Sequence, residues 1–223
     1  MDKYKNGFLY VWICNICKGI YKINLVEYFK KFAVWMCSFK VVKVQNSEER
    51  EIKIKSLAID IYKLIKLVFL LSIWIFNVRS NFVTVIVIYL IITTLMTYLK
   101  YHFWNKNRNN DFERNRRRFL SMILSFGFIV LAYGYLYDIP FENTIVKQSI
   151  VLVEEDEKED LNGCEVINWD EALLYSISNS FGGNYSNIVA VNKLGDWLSL
   201  SQVIITFSYL TFIFSKSVFG EGN

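Results

Sequence analysis

The sequence predicts an all-α membrane protein with four membrane-spanning helices. Several apolar blocks approach the roughly 20 residues that cross a bilayer core of about 30 Å as a helix. The 223 residues include one Pro, so long helices are expected to run uninterrupted. A basic loop and an acidic segment flank one apolar block on opposite sides, as expected when a chain crosses a membrane between them.

Residues 1–60 are predicted to form a cytoplasmic or interfacial region. Aromatic residues and lysines are interleaved between residues 8 and 44, which fits an amphipathic helix at the membrane interface. A small cytoplasmic domain under the membrane fits nearly as well. Cys14 and Cys17 form a lone CxxC pair, and a zinc site would need a second pair or histidines at metal spacing. We therefore expect these cysteines to be small apolar side chains, with no metal and no cofactor.

Residues 61–99 are predicted to form a transmembrane helical hairpin. Its spans are Leu64–Val78, which is short, and Phe82–Leu99, which contains no charge. Lys66 lies inside the first span and is expected to extend toward the headgroups. Each block could instead be a buried core helix, and this alternative is stronger for Leu64–Val78.

The charges on either side of the third span, Phe119–Tyr137, predict the orientation. Residues 100–118 form a loop with seven Lys and Arg residues, which is expected to be cytoplasmic. The acidic segment after the span is expected to be external, and its Glu154–Asp160 cluster is either a solvated loop or a means of concentrating cations. The Tyr residues that end the span are expected to form an interfacial girdle. The fourth span, Leu198–Ser215, then brings both termini to the cytoplasm, and residues 217–223 form a short cytoplasmic tail.

The segment that precedes the last span has its own pattern. Residues 169–180 predict a helix of about three turns, with Asp170 and Glu171 at its N-terminus, where carboxylates favour the helix dipole. A turn rich in Gly, Asn and Ser follows in Ser180–Asn187. Ile188–Val191 resembles a strand and leads to the last helix.

This order of helix, turn, extended chain and helix resembles the pore loop of the potassium-channel superfamily. Pore loops of its two-helix members read like ALYFSIVTLTTVGYGDIVP, and residues 172–190 here read ALLYSISNSFGGNYSNIVA. The resemblance covers roughly residues 119–215 and none of residues 1–118. The coinciding residues are Ala172, Leu173, Ser176, Ile177, Tyr185, Ile188 and Val189.

The resemblance implies that residues 119–216 form a pore domain in which a re-entrant pore helix and filter loop lie between the last two spans. It implies a homotetrameric channel of the plasma membrane that conducts potassium or another monovalent cation, because backbone carbonyls from several copies replace the hydration shell of the ion. The implied filter consists of Phe181, Gly182, Gly183, Asn184, Tyr185 and Ser186. The implied pore-helix and outer-mouth residues are Ser176, Asn179, Ser180 and Asn187, and those of the inner helix are Gln202 and Thr206.

The filter departs from the family pattern. Asn184 and Ser186 replace the two filter glycines, and Phe181 and Gly182 replace the threonine pair. A register shifted to Phe181–Asn184 restores glycine but loses other matches. We therefore expect a degenerate filter, and a membrane-depolarising effector without a selective filter is the alternative. Ser180–Asn187 could also be an ordinary external loop.

Other classes of function are not favoured by the sequence. A net charge of +4 is too small to imply nucleic-acid binding. No uncharged span carries Asp, Glu, Arg or His for proton relay, and no nucleophile–base pair is visible, so we do not expect an enzyme or a transporter. The predicted partners are the lipid bilayer, further copies of the chain and an unknown cytoplasmic regulator. Thr206 and Ser208 either face a pore or bond back to their own helix.

Overall fold

The computed structural model describes the backbone of residues 19, 25–38, 47–104, 112–148, 164–185 and 187–218, and the side chains of residues 19, 25–36, 54–98, 119–147, 165–185 and 187–211. The described chain is mostly helical and separates into two compact units, Met1–Phe69 with Ile92–Phe112, and Leu70–Ile91 with Glu113–Asn223. The helices are α1 (Leu25–Ser38), α2 (Ser47–Ile75), α3 (Asn81–Trp104), α4 (Phe112–Asp138), α5 (Trp169–Ser180) and α6 (Lys193–Val218). The strands are β1 (Ile145–Gln148), β2 (Cys164–Val166) and β3 (Ile188–Ala190).

Two of the described helices are long and apolar enough to cross a membrane, over Asn81–Tyr98 in α3 and Phe119–Asp138 in α4. They coincide with two predicted spans. The predicted span Leu64–Val78 lies mainly in α2, but α2 ends at Ile75 and its last 18 residues include three charges. The span Leu198–Ser215 lies in α6, whose side chains after residue 211 are outside the described set. The four-span topology therefore stays a prediction.

A tight turn joins α2 to α3, as the sequence predicts for Arg79–Asn81. Asn77 has a φ of 48°, the left-handed conformation that Asn tolerates better than most residues. The Asn77 amide donates to the Trp74 carbonyl and the Val78 amide donates to the Ile73 carbonyl, both at 3.0 Å. These are the two bonds of a Schellman cap, which satisfies carbonyls that the end of α2 leaves open.

In the first unit, α2 packs against α1 and against the part of α3 around Thr94. The rings of Phe29 and Tyr62 lie 5.7 Å apart. Lys66 is 7% exposed and donates to the Thr94 hydroxyl at 2.6 Å, while its ammonium lies 5.6 Å from the Tyr62 ring centre. The expectation that Lys66 extends toward headgroups is therefore wrong, because its helix face turns inward to an acceptor and an aromatic ring.

The second unit contains a small antiparallel sheet with the strand order β2-β1-β3. In the central strand, Val146 pairs with Val166 on one side and with Val189 on the other. The predicted all-α class omits this sheet. Its strands have only three or four residues, and β1 pairs with β3 about 40 residues away. The sequence therefore contains little local pattern from which this sheet could be predicted.

The tyrosines at the end of α4 do not form an exposed girdle. Tyr133, Tyr135 and Tyr137 are all buried, so they do not form the exposed aromatic belt that the sequence predicts. Tyr135 donates to the Val78 carbonyl at 3.0 Å, and the other two hydroxyls bond to α6. Each hydroxyl finds a partner inside the protein and needs no contact with water or headgroups.

Candidate functional site

Helix α5 begins and ends with local signals that the sequence carries. Glu171 accepts a hydrogen bond from the Asn168 amide at 3.1 Å, which is one half of a capping box. At the other end, Gly182 has a φ of 72°. The Gly182 amide donates to the Asn179 carbonyl and the Gly183 amide to the Ser178 carbonyl, so a Schellman cap closes the helix. The predicted helix of three turns is confirmed.

Gln202, at the centre of α6, is fully buried and connects α6 to α5. Its Nε2 lies 2.8 Å from the Ser176 carbonyl, the Ser176 hydroxyl and the Ser180 hydroxyl. The Ser176 hydroxyl in turn donates to the Val130 carbonyl of α4 at 2.7 Å. One side chain thus joins α6 to α5, and α5 is bonded directly to the backbone of α4.

The oxygen of Gln202 completes the connection among the three helices. Its Oε1 accepts from the Tyr137 hydroxyl at 2.7 Å and from the Asn179 amide at 2.9 Å. The Asn179 amide also lies 3.1 Å from the Ser199 carbonyl. We call Tyr137, Ser176, Asn179, Ser180 and Gln202 the polar junction. All five are buried and hydrogen-bonded, as a polar group requires where water is excluded.

Further hydroxyls surround the polar junction. Tyr175 pairs with Ser199 at 3.0 Å, and Tyr133 pairs with Ser201 at 2.8 Å. Tyr175 also meets Tyr137 edge to face with ring centres 5.1 Å apart, a favourable aromatic geometry. Thr206 is buried and donates to the Gln202 carbonyl at 2.8 Å. Of the two alternatives for Thr206, bonding back to its own helix is therefore the observed one, and Ser208 does the same toward Ile204.

Contacts with α4 show which part of that helix lies beside each end of α5. Leu173, near the start of α5, lies against Gly134, where an added Cβ would be 3.5 Å from the Leu173 Cα. Further along, Ser176 bonds to Val130. At its end, the Phe181 ring lies 6.0 Å from that of Phe126. Eight residues separate Leu173 from Phe181 and eight separate Gly134 from Phe126, so α5 runs antiparallel to α4.

After the polar junction, the residues that follow α5 are mostly exposed. We call residues 181–185 the exposed turn. Phe181 is 66% exposed, and Gly182, Gly183 and Asn184 are exposed as well. The Tyr185 carbonyl accepts from the Ile188 amide at 3.3 Å, so a second turn follows the helix cap. Ser186 lies outside the described residues, as does the Glu154–Asp160 cluster.

The predicted site residues therefore divide into two groups. Ser176, Asn179, Ser180 and Gln202 come together in the polar junction, with Thr206 one turn further along α6. The predicted filter residues do not join that cluster. Asn187 is half-buried and precedes β3.

An ion pair holds the start of α5 to the sheet. Lys147 of β1 donates to Glu171 at 2.6 Å. This hydrogen bond raises the pKa of Lys147 and lowers the pKa of Glu171 from their ordinary values, since it favours both charged forms.

The turn between α2 and α3 is attached to the end of α4. The Trp74 indole donates to Asp138 at 2.6 Å, and Arg79 donates to Glu142 at 2.7 Å. The Trp74 ring also covers Gly134, where an added Cβ would lie 2.9 Å from it. Gly134 is thus needed for a close approach between these segments.

The sequence pattern did not identify Tyr137, Tyr175 and Ser199 as members of this region. A signal was present, because Ser176, Asn179 and Ser180 recur at helical spacing in α5, as do Ser199, Gln202 and Thr206 in α6. Two polar stripes on neighbouring apolar helices indicate helices that face each other. Tyr137 could not be assigned to them, because a terminal Tyr is equally typical of an interfacial belt.

The geometry defines a mostly helical protein in which two helices could cross a membrane and a short helix is bonded between α4 and α6. Within the described residues, no group of three His, Cys, Asp or Glu side chains could hold a metal ion. Cys14 and Cys17 are outside those residues. No family model, curated protein or solved structure matches the chain.

Proposed function

We propose that the chain is a four-span membrane protein that assembles as a homotetramer around a water-filled path for monovalent cations, with potassium the expected ion. In this proposal α5 is a re-entrant pore helix and the exposed turn lines the path. The observation that carries the proposal is that the exposed turn lies beside the part of α4 around Phe126 and is exposed in the single chain.

Phe181 packs against Phe126, which lies twelve residues before the end of α4. At 1.5 Å per residue this is about 18 Å along the helix, near the middle of a bilayer core of about 30 Å. The backbone of residues 182–184 is neither helical nor covered. Irregular backbone at membrane depth is tolerated only where it is buried in protein or lines a water-filled cavity. If α4 spans the bilayer, the exposed turn therefore needs water or other copies of the chain.

The surface of the described residues supports a membrane setting. Polar side chains such as Gln202, Thr206 and Lys66 are buried, whereas many large apolar side chains are exposed. On α6, the exposed residues Trp197, Leu200, Ile204 and Phe207 follow a helical stripe opposite the polar junction. A soluble protein shows the reverse arrangement, and exposed apolar area on this scale indicates lipid or protein contact.

A cation is favoured over an anion at the exposed turn by the end of α5. The C-terminal end of this helix, which carries partial negative charge, points toward the exposed turn. Asp170 and Glu171 lie at the other end of α5, and Glu171 is paired with Lys147, so neither carboxylate acts at the exposed turn.

A second candidate is a membrane-depolarising protein that lacks a selective filter. The helix cap at Gly182 and the turn at Tyr185 favour it, because they interrupt the straight run of carbonyls on which an ordered filter depends. The two candidates share a water-filled path and differ in ion selectivity.

Cysteine accessibility in proteoliposomes tests the proposal. Asn184→Cys and Ile204→Cys would be made in a full-length chain whose Cys14, Cys17, Cys37 and Cys164 are replaced. Both positions are exposed, but Asn184 is in the exposed turn and Ile204 is on the apolar face of α6. A charged, water-soluble thiol reagent is expected to reduce potassium flux through Asn184→Cys by about tenfold and to leave Ile204→Cys unchanged, since only a hydrated position reacts readily.

Several results would contradict the proposal. These are wild-type proteoliposomes that do not conduct, equal effects of the reagent at both positions, or a monomer in detergent. Barium block and a preference among cations would favour the selective channel. Equal passage of cations and anions would favour the depolarising protein.

A further inference from the structure

Lys147 lies where the sheet, the start of α5 and the segment after the exposed turn come together. Its ammonium donates to the Glu171 carboxylate in the first turn of α5 at 2.6 Å. In the sheet, Lys147 is the partner of Glu165 in β2 on one side and of Ile188 in β3 on the other. The Ile188 amide bonds to the Tyr185 carbonyl at 3.3 Å. The sheet neighbour of Lys147 therefore directly follows the turn at the end of the exposed turn.

The groups around Lys147 show that its charge acts on more than one segment. The pKa of Lys147 is raised mainly by its hydrogen bond to Glu171, and the nearby groups of Glu165 and Tyr185 raise it further. Glu165 lies opposite Lys147 in the sheet and is exposed. Lys147 therefore cancels the charge of one of two neighbouring carboxylates, and its loss would leave both charges in place.

The position of the ion pair along α5 indicates where its charge would be felt. Glu171 lies in the first turn of α5, and the exposed turn begins at Phe181, about 15 Å further along at about 1.5 Å per residue. This separation exceeds the Debye length of about 8 Å at physiological salt, so the pair has little effect on an ion at the exposed turn. The chain returns from the exposed turn to the sheet beside Lys147. Under the proposed function, an ion that enters from the external side passes this end of α5 first.

We propose that Lys147 limits the concentration of cations at the external entrance of the path by cancelling the charge of Glu171. The inference rests on the proposed function, because it concerns the flow of ions through that path. In a homotetramer, every substitution at position 147 changes the charge at the entrance once in each copy. Charges that surround an entrance raise or lower the local concentration of ions, and salt weakens this effect.

Stepwise changes of charge at position 147 test the proposal in the full-length protein. Lys147→Cys would be made after the four natural cysteines are replaced, and potassium conductance would be measured in planar bilayers. A thiol reagent with a quaternary ammonium group returns the positive charge without an N–H donor, and one with a sulfonate group reverses the charge. Arg79→Cys is the matched control, because Arg79 also forms an ion pair, at 2.7 Å, but with Glu142 rather than with α5.

The conductance of Lys147→Cys is expected to follow the charge of the adduct. At about 10 mM salt, where the Debye length is about 30 Å, the sulfonate adduct should conduct about twofold or more above the ammonium adduct. At about 1 M salt, where the Debye length is about 3 Å, the difference should disappear. The same two adducts at Arg79→Cys should differ less, because that ion pair joins the turn between α2 and α3 to the segment after α4.

Two kinds of result would overturn the inference. Equal conductance of the two Lys147→Cys adducts at low salt would mean that charge at this position does not reach the ion. A difference that persists at about 1 M salt, or one of equal size at Arg79→Cys, would mean that the effect is structural or belongs to the whole external surface. Wild-type protein that does not conduct would overturn the proposed function and this inference with it, whereas conduction that is independent of charge at position 147 would overturn this inference alone.

Discussion

The polar junction and the exposed turn are adjacent in sequence and opposite in physical state. Ser176, Asn179 and Ser180 are buried and bonded to α4 or α6, whereas Phe181, one residue later, is two-thirds exposed. The change occurs at the Gly182 cap, where the helix ends. The polar junction therefore fixes α5 against α4 and α6, and under the proposed function the exposed turn is the part that contacts ions and other copies.

Removing the centre of the polar junction should have the largest effect. Gln202→Leu deprives Tyr137, Asn179 and Ser180 of a buried partner. We expect a loss of about 2 kcal/mol or more in the free energy of unfolding, measured by denaturation in detergent, because each unsatisfied buried group costs about 1–3 kcal/mol. Ser208→Ala, which removes only a bond within α6, is the matched control and should change stability little. Equal effects of the two variants would mean that the polar junction does not hold α5.

Crowding the helix that supports α5 should have the next largest effect. In Gly134→Ala, the new Cβ meets the Trp74 ring at 2.9 Å and the Leu173 backbone at 3.5 Å. We expect a loss of about 1–3 kcal/mol, which is typical of overpacking. Gly127→Ala, on the same helix, meets nothing within 4 Å and should be neutral or slightly stabilising. The cost of Gly134→Ala should fall in a Trp74→Leu background, and a cost that stays the same would contradict the contact.

A substitution in the exposed turn should separate stability from conduction. Gly182→Ala has open space but requires Ala at a φ of 72°, so we expect a cost of about 1 kcal/mol. Asn184→Ala requires no such strain and should cost less. Under the proposed function, either variant should change ion selectivity in proteoliposomes. For the same loss in the free energy of unfolding, this change in selectivity should be larger than the change that Gln202→Leu causes. A loss of stability without any change in permeation would remove the exposed turn from the path.

The smallest effect is expected where α5 meets the sheet. Because the Glu171 pKa is lowered by Lys147, the stabilisation is present above the unfolded pKa of Glu, about 4.3, and is lost as the pH falls through the lower folded value. Because the Lys147 pKa is raised, its part is present below about pH 10.4 and is lost as the pH rises through the higher folded value. Lys147→Gln should therefore lower Tm slightly near neutral pH and have no effect in strong acid. Lys193→Gln is the charge-matched control, and a pH-independent difference would contradict the ion pair.

Local signals allowed much of the second unit to be predicted. The helix at residues 169–180, the turn after it and the strand at Ile188 follow from Glu171, from the glycines and from the β-branched residues. Four of the predicted site residues also meet in the polar junction. The resemblance that suggested them assigned Asn179 to the pore helix and outer mouth and Gln202 to the inner helix, and in the structure these two side chains bond to each other. Polar residues on an apolar helix do not reveal from sequence alone whether they face water or a partner helix.

The sequence by itself determined where helices run and stop, because apolar length, charge, capping residues and glycine act within a few neighbouring residues. It also determined that polar stripes occur on α5 and α6. Only the tertiary structure decided that Tyr137 enters the polar junction, that Lys66 turns inward to Thr94 and that β1 lies between β2 and β3. These outcomes depend on contacts between residues 16 or more positions apart, and such contacts form only when the packing of whole elements brings the partners together.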